Sequence, residues 1–239
     1  MRRNFCFFFI LMTLFLTPSY GMEAPRTYSF KERQLLLDLY GIGIVTFNTE
    51  NLPGSLPLDS PYYIDLRHVI SHPTIFKEMV LLLKERAQLL SFDAICGVPY
   101  AALPMATGLA YETSSPLLMR RSSPKSHGTC KKIEGTLFPH MRCLVVEDVI
   151  TTATSLFETI QDLEEANVAV AHCLVFFDRE QGGLPYAKAK GYPTEAIFTL
   201  SDLVYILQEA GKISASFADY LIQWTRENQV PGINWKTKA

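Results

Sequence analysis

The residues best equipped for chemistry lie between Cys143 and Ser155, in the run Cys-Leu-Val-Val-Glu-Asp-Val-Ile-Thr-Thr-Ala-Thr-Ser. An apolar strand, Cys143 to Val146, delivers two adjacent carboxylates, Glu147 and Asp148. Val149 and Ile150 follow, and a hydroxyl-rich turn of Thr151, Thr152, Ala153, Thr154 and Ser155 then leads into a helix. Free backbone N–H groups and hydroxyls at a helix N-terminus favour a phosphate. Carboxylates at the carboxyl end of a strand stand in the usual ligand crevice of open α/β sheets, where they suit vicinal sugar hydroxyls as acceptors. A capped helix after a strand, with two acids facing solvent, fits the same residues, because such turns are common in α/β folds.

The elements around this run alternate. The spacing of Leu35, Leu36 and Leu39 predicts a helix from Phe30 to Tyr40, stopped by Gly41. The Pro-, Gly- and Asn-rich stretch from Asn48 to Ser60 reads as a loop, and Tyr62-Tyr63-Ile64 as a short strand. Ser71 is the expected cap of a helix beginning near Pro73. Strands are then expected at Ala94–Val98, Pro116–Met119, Cys143–Val146, Val168–Phe177 and Ala196–Leu200. Helices are expected at Leu103–Tyr111, Ser155–Ala166, Ser201–Gln208 and Ser214–Arg226. Apolar strands alternating with helices predict a parallel sheet covered on both faces.

The Cys143–Ser155 segment resembles the phosphoribosyl-pyrophosphate (PRPP) motif of type I phosphoribosyltransferases. Further blocks resemble the orotate phosphoribosyltransferases, especially the orotate domain of bifunctional UMP synthase. They are Ser60-Pro-Tyr-Tyr-Ile-Asp-Leu-Arg67, Ile95 to Ala106, Arg120 to Gly128 with Glu134-Gly135, and Phe177-Asp-Arg-Glu-Gln-Gly-Gly183. The resemblance implies the type I α/β fold, with a central, mostly parallel sheet, helices on both faces and a small N-terminal hood. It implies a glycosyltransferase of UMP biosynthesis that moves ribose 5-phosphate from PRPP to orotate. Glu147 and Asp148 would then hold the ribose hydroxyls, Thr151 to Ser155 would cradle the 5-phosphate, and Val149 and Ile150 between them would belong to the same PRPP site.

By the same resemblance Tyr63, Ile64, Thr151 and Arg179 would line the orotate pocket, a guanidinium being a good match for an anionic planar ring. A plain edge strand for Tyr63 and Ile64, and a surface ion pair of Arg179 with Asp178 or Glu180, fit the sequence too. The segment from Arg121 to Glu134 is polar and aperiodic, and resembles the family's catalytic loop. In the family that loop reaches over a neighbouring subunit's site, which implies a homodimer. Arg121, Lys125 and His127 would meet PRPP, with Lys125, His127 and Asp148 as the catalytic group. Cations over a leaving pyrophosphate stabilise charge that develops as the bond breaks. Mg²⁺ is implied as a cofactor carried mainly by the substrate, with no dedicated protein ligands.

Four positions depart from the family pattern. Ser55 and Ser122 stand where lysine is expected, Ala101 replaces a lysine of many bacterial forms, and Ala153 replaces a glycine. Lys131 or Lys132 could compensate for the lost charge. The methyl of Ala153 is expected to resist the positive φ that glycine allows. These departures leave room for an alternative, a catalytically impaired PRPP- or nucleotide-binding regulatory protein of the same fold.

A net charge of −2 argues against a general nucleic-acid binder, which needs a basic face. Arg2 and Arg3, the apolar run Phe5 to Leu16 and the small-residue break ending at Gly21 read as an export leader, too short to be a stable membrane anchor. Residues 1–21 are thus expected to be a leader, and 22–239 a phosphoribosyltransferase domain with no room for a fused decarboxylase. A start at Met22, in a cytoplasmic protein, is the alternative. Of five cysteines, Cys96, Cys143 and Cys173 lie in apolar runs and are expected to be buried thiols, whereas Cys130 lies in a polar stretch and Cys6 in the leader.

Overall fold

The computed structural model describes residues 26–47, 60–121 and 132–230. The chain enters through helix α1 (Phe30–Gly41), started by a Ser29–Glu32 capping box. Strands β1 (Val45–Phe47) and β2 (Tyr62–Ile64) then pair antiparallel as a separate two-stranded sheet, the expected hood. A 3₁₀ turn, Leu66–Ser71, leads to α2 (Pro73–Ala87). Ser71 does not cap α2: the cap position falls to His72, because the 3₁₀ turn consumes Ser71 and Pro73 needs no N–H partner at the first helical position.

The body is a six-stranded sheet. In chain order its elements are β3 (Ala94–Gly97), α3 (Ala102–Thr113), β4 (Leu117–Arg120), β5 (Ile133–Glu134), β6 (Arg142–Ile150), α4 (Thr154–Glu165), β7 (Ala169–Asp178), α5 (Gly183–Ala189) and β8 (Thr194–Thr199). Helices α6 (Leu200–Glu209) and α7 (Ala215–Glu227) close it. The strand order is β5-β4-β3-β6-β7-β8, with β5 antiparallel to β4 and the other pairings parallel. Right-handed crossovers running in opposite directions from the centre put α3 and α4 on opposite faces. In agreement, α3 packs on β3 and α2, whereas α4 packs on β6 and β7.

Every residue of β3 is buried, as a strand covered on both faces requires. On α4, Leu156, Phe157, Ile160 and Leu163 form the buried stripe, and Phe157 meets Tyr186 and Tyr192 edge-on. The three thiols of Cys96, Cys143 and Cys173 are buried as expected, and loss of water pushes those of Cys96 and Cys173 up to about 12. The hood is held to the body by aromatic contacts: Phe47 against Phe217 at 5.3 Å, and Tyr62 against Trp224 at 5.8 Å, both edge-on.

Candidate functional site

Topology decides where a ligand can sit. From β3 the chain runs through α3 to β4, then returns on the other side of β3 as β6 and continues outward to β7 and β8. The order therefore reverses between β3 and β6, and at such a reversal the loops leave the sheet in opposite directions and open a crevice. Two segments emerge there. Beyond β3 runs Val98-Pro99-Tyr100-Ala101, with a cis Pro99–Tyr100 peptide; at the end of β6 stand Glu147 to Ser155. Helices α3 and α4, which follow them, both begin without a side-chain cap, whereas Ser29, Thr199 and Ser214 cap α1, α6 and α7. Two uncapped helix starts thus face one crevice, with backbone donors left for a ligand.

The acidic pair sits differently from its expected place just past a strand. β6 continues to Ile150, so both acids lie within it and strand alternation turns them to opposite faces. Glu147 is only 5% exposed, while Asp148 is half-buried. Loss of water holds the Glu147 carboxyl well above its ordinary range, and the neighbouring Asp148 charge adds to the effect. Burial also raises Asp148, against hydrogen bonds that favour its charged form. Groups held this way gain from hydroxyl donors brought by a ligand.

In the turn, Thr152 and Thr154 share a hydroxyl hydrogen bond at 2.8 Å. Ala153 adopts φ 67° and ψ 14°. Its methyl therefore does not prevent the left-handed conformation, although glycine would hold it with less strain. The turn is backed by Gly183, whose N–H donates to the Thr151 carbonyl at 2.9 Å. A Cβ on Gly183 would stand 2.6 Å from that oxygen and 3.0 Å from the Ala153 nitrogen, so only glycine fits. Gly183 carried no expected role; its signal was the Gly-Gly pair closing the Phe177–Gly183 block.

Arg179 lies beside the turn, its N–H donating to the Ile150 carbonyl at 3.1 Å. It makes no ion pair among the described residues with Asp178 or Glu180. Asp178 instead accepts from the Glu180 N–H at 2.8 Å, and Glu180 from the Ser201 N–H at 2.6 Å. The guanidinium lies 4.8 Å over the Tyr62 ring and donates through Nη2 to Ser60 Oγ at 3.2 Å. Burial raises the Asp178 carboxyl to about 6. Ile64 is buried; Tyr63 is half-buried and accepts from Arg67 Nη2 at 3.0 Å, while Arg67 also grips Asp65 through two nitrogens.

Lys125, His127, Ser55, Ser122, Cys130 and Lys131 lie outside the described residues. Arg121 reaches Glu134 at 3.5 Å, and its N–H pairs with the Lys132 carbonyl. Lys132 does not supply the compensating charge: its ammonium is engaged by Asp162 at 2.5 Å and Glu165 at 3.2 Å. Arg120 donates to the other Asp162 oxygen at 2.6 Å. Asp162, which no local pattern singled out, therefore ties the end of β4 and the start of β5 to α4.

Comparison with known proteins agrees with this layout. Residues 69–200 match the phosphoribosyl transferase domain family. The chain is 36% identical over 202 residues to uridine 5′-monophosphate synthase of Bos taurus, covering 84% of this chain and 42% of that protein. It is 33% identical over 196 residues to the orotate phosphoribosyltransferase of Chlamydia caviae, covering 80% of this chain and 94% of that one. The solved UMP synthase of Leishmania donovani superposes with a TM-score of 0.71 at 26% identity, over 83% of this chain and 43% of that one. The chain thus spans about two-fifths of the length of the synthases it matches. The comparisons overturn the expectation of export: none of the matches supports a secreted form, and the orotate phosphoribosyltransferases among them are cytosolic enzymes. The leader-like residues 1–21 lie outside the described residues.

Proposed function

The chain belongs to the phosphoribosyl transferase family, among the orotate phosphoribosyltransferases, and from that membership we propose that it transfers ribose 5-phosphate from PRPP to N1 of orotate. The products are orotidine 5′-phosphate and pyrophosphate. One observation carries the proposal. The acidic pair and the uncapped start of α4 stand together at the reversal of strand order, one able to take sugar hydroxyls and the other the sugar's phosphate.

In this reading Asp148 accepts from a ribose hydroxyl at the crevice, and Glu147 supports it from the buried face. The N–H groups and hydroxyls of Thr151 to Ser155 hold the 5-phosphate. Arg179 takes the orotate carboxylate, with Thr151, Tyr63 and Ile64 around the ring. The sugar C1–O bond breaks with its electron pair leaving on pyrophosphate, and N1 of orotate forms the new bond to C1. Lys125 and His127, with Arg121, are assigned to the charge that builds on the leaving group. Mg²⁺ carried in by the substrate would supply further countercharge there, with no dedicated protein ligands required. Asp148, the acid of the pair that opens on the crevice, would offer such a hard cation one carboxylate oxygen, while the buried Glu147 would not. A homodimer in which residues 121–134 reach a neighbouring site belongs to the same proposal. So does a domain spanning 22–239.

The test is direct. Purified protein with PRPP, Mg²⁺ and orotate should lose orotate absorbance, and uracil and purines should not substitute. Asp148→Asn should raise the PRPP KM more than Glu147→Gln, because Asp148 is the more accessible acid. Absence of turnover together with absence of PRPP binding by calorimetry would defeat the proposal. The alternative, a catalytically impaired regulatory protein, is not favoured by the relatives, which are named as enzymes.

A further inference from the structure

We propose that Tyr62 and Ser60, on and beside the hood strand β2, are positioning residues that fix the plane of the Arg179 guanidinium and so set the affinity for orotate. The inference rests on the assignment of Arg179 to the orotate carboxylate.

The backbone around Arg179 is already held. Its N–H is bonded to Ile150, and residues 180–181 are pinned by the segment that follows α7. There Gln229 donates to the Glu180 carbonyl at 2.7 Å, Gln181 to the Asn228 carbonyl at 3.0 Å, and the Val230 N–H to the Gln181 carbonyl at 2.9 Å. What remains free is rotation of a long side chain. Two groups from the hood remove that freedom. The Tyr62 ring is fully buried, tilted into place by Trp224, and presents its face to the guanidinium at 4.8 Å. Ser60 commits its one proton to the Tyr62 carbonyl at 2.7 Å, so its lone pairs are what Arg179 Nη2 meets at 3.2 Å.

The Tyr62 hydroxyl contributes little, because its contacts with the Arg179 carbonyl and Thr225 are long, 3.4 and 3.5 Å. The ring face does the positioning. A cation held over an aromatic face and bonded on one nitrogen presents its remaining donors in a fixed plane, and an anion then binds without the entropy cost of ordering a free arginine.

Steady-state KM values for orotate and for PRPP, with melting curves as folding controls, test this. Tyr62→Phe keeps the ring face and should leave the orotate KM within roughly twofold. Mono-, di- and trifluorinated phenylalanines at position 62 preserve shape while weakening the negative face. They should raise the orotate KM stepwise, to roughly five- to tenfold, with the PRPP KM unchanged. Ser60→Ala should raise the orotate KM roughly threefold. If Arg179→Ala raises the orotate KM but the fluorinated series stays flat, the positioning role is wrong and the orotate assignment stands. If Arg179→Ala leaves the orotate KM unchanged, the assignment falls and takes the positioning role with it. Parallel rises in both KM values would mean general damage to the site and would also overturn the inference.

Discussion

Replacing Asp162 by asparagine removes the one negative charge among the described residues that both Arg120 and Lys132 share. The Asp162 side chain is 6% exposed and that of Arg120 12%, so this contact is buried, while Lys132 at 40% is only half so. Breaking a buried pair by deleting one partner costs about 3–5 kcal/mol, because the other charge stays desolvated and unmatched. Two features reduce that figure. Arg120 keeps Glu158 at 3.6 Å and Lys132 keeps Glu165 at 3.2 Å, both half-exposed acids worth at most about 1 kcal/mol each. The amide oxygen of asparagine also still accepts one hydrogen bond. The expected loss is about 2–4 kcal/mol, or roughly 4–16 °C in Tm for a domain of this size. Urea denaturation followed by circular dichroism measures it, and 0.5 M NaCl should change the difference little because the contact is screened by burial. A double replacement, Asp162→Leu with Arg120→Met, should recover part of the loss by substituting apolar packing for the ion pair. An Asp162→Asn variant within 0.5 kcal/mol of the parent would falsify the claim that this network is a buried tie between the sheet edge and α4.

Other substitutions probe the remaining elements. Gly183→Ala should raise the PRPP KM at least tenfold, since its methyl must push the Thr151–Ala153 backbone out of the phosphate turn; an unchanged KM refutes the close approach. Ala153→Gly should change stability by less than about 1 kcal/mol, because relief of left-handed strain is offset by lost methyl burial and a freer unfolded chain. Asp178 has a folded pKa near 6 against an ordinary 3.8, so the folded state holds this proton more tightly than the unfolded one. Its burial then costs nothing below about pH 3.8, costs progressively more as pH rises through 4–6, and reaches about 3 kcal/mol above pH 6. Asp178→Asn keeps an acceptor for the Glu180 N–H and should gain stability over wild type between pH 4 and pH 7, read by urea denaturation; a pH-independent difference would refute the assignment.

The sheet's apolar strands and the stripe of α4 were legible because a strand buried on both faces must be apolar throughout, and a helix on a sheet must show a 3.6-residue stripe. Other elements were not. β1, β5 and α5 are three, two and seven residues long, too short for periodicity to register. The apolar run of β6 ends at Val146, where the charged Glu147 and Asp148 begin, yet its pairing with β7 carries on to Ile150 opposite Asp178. Backbone hydrogen bonds continued the strand where side-chain polarity said stop. Ala153 shows the same override: the local cost of a positive φ is small beside the contacts that hold the turn.

For this protein the order of residues alone determined the α/β alternation, the acidic pair followed by a hydroxyl turn, and through their resemblance the family. Those are local properties, set by neighbours within one strand or one helical turn. Only the tertiary structure decided that Glu147 is buried while Asp148 opens on the crevice, that Lys132 is spent on Asp162, and that Tyr62, 117 positions before Arg179, lies beneath its guanidinium. Each of these depends on which distant segments the strand order brings together, and a linear pattern holds no record of that distance.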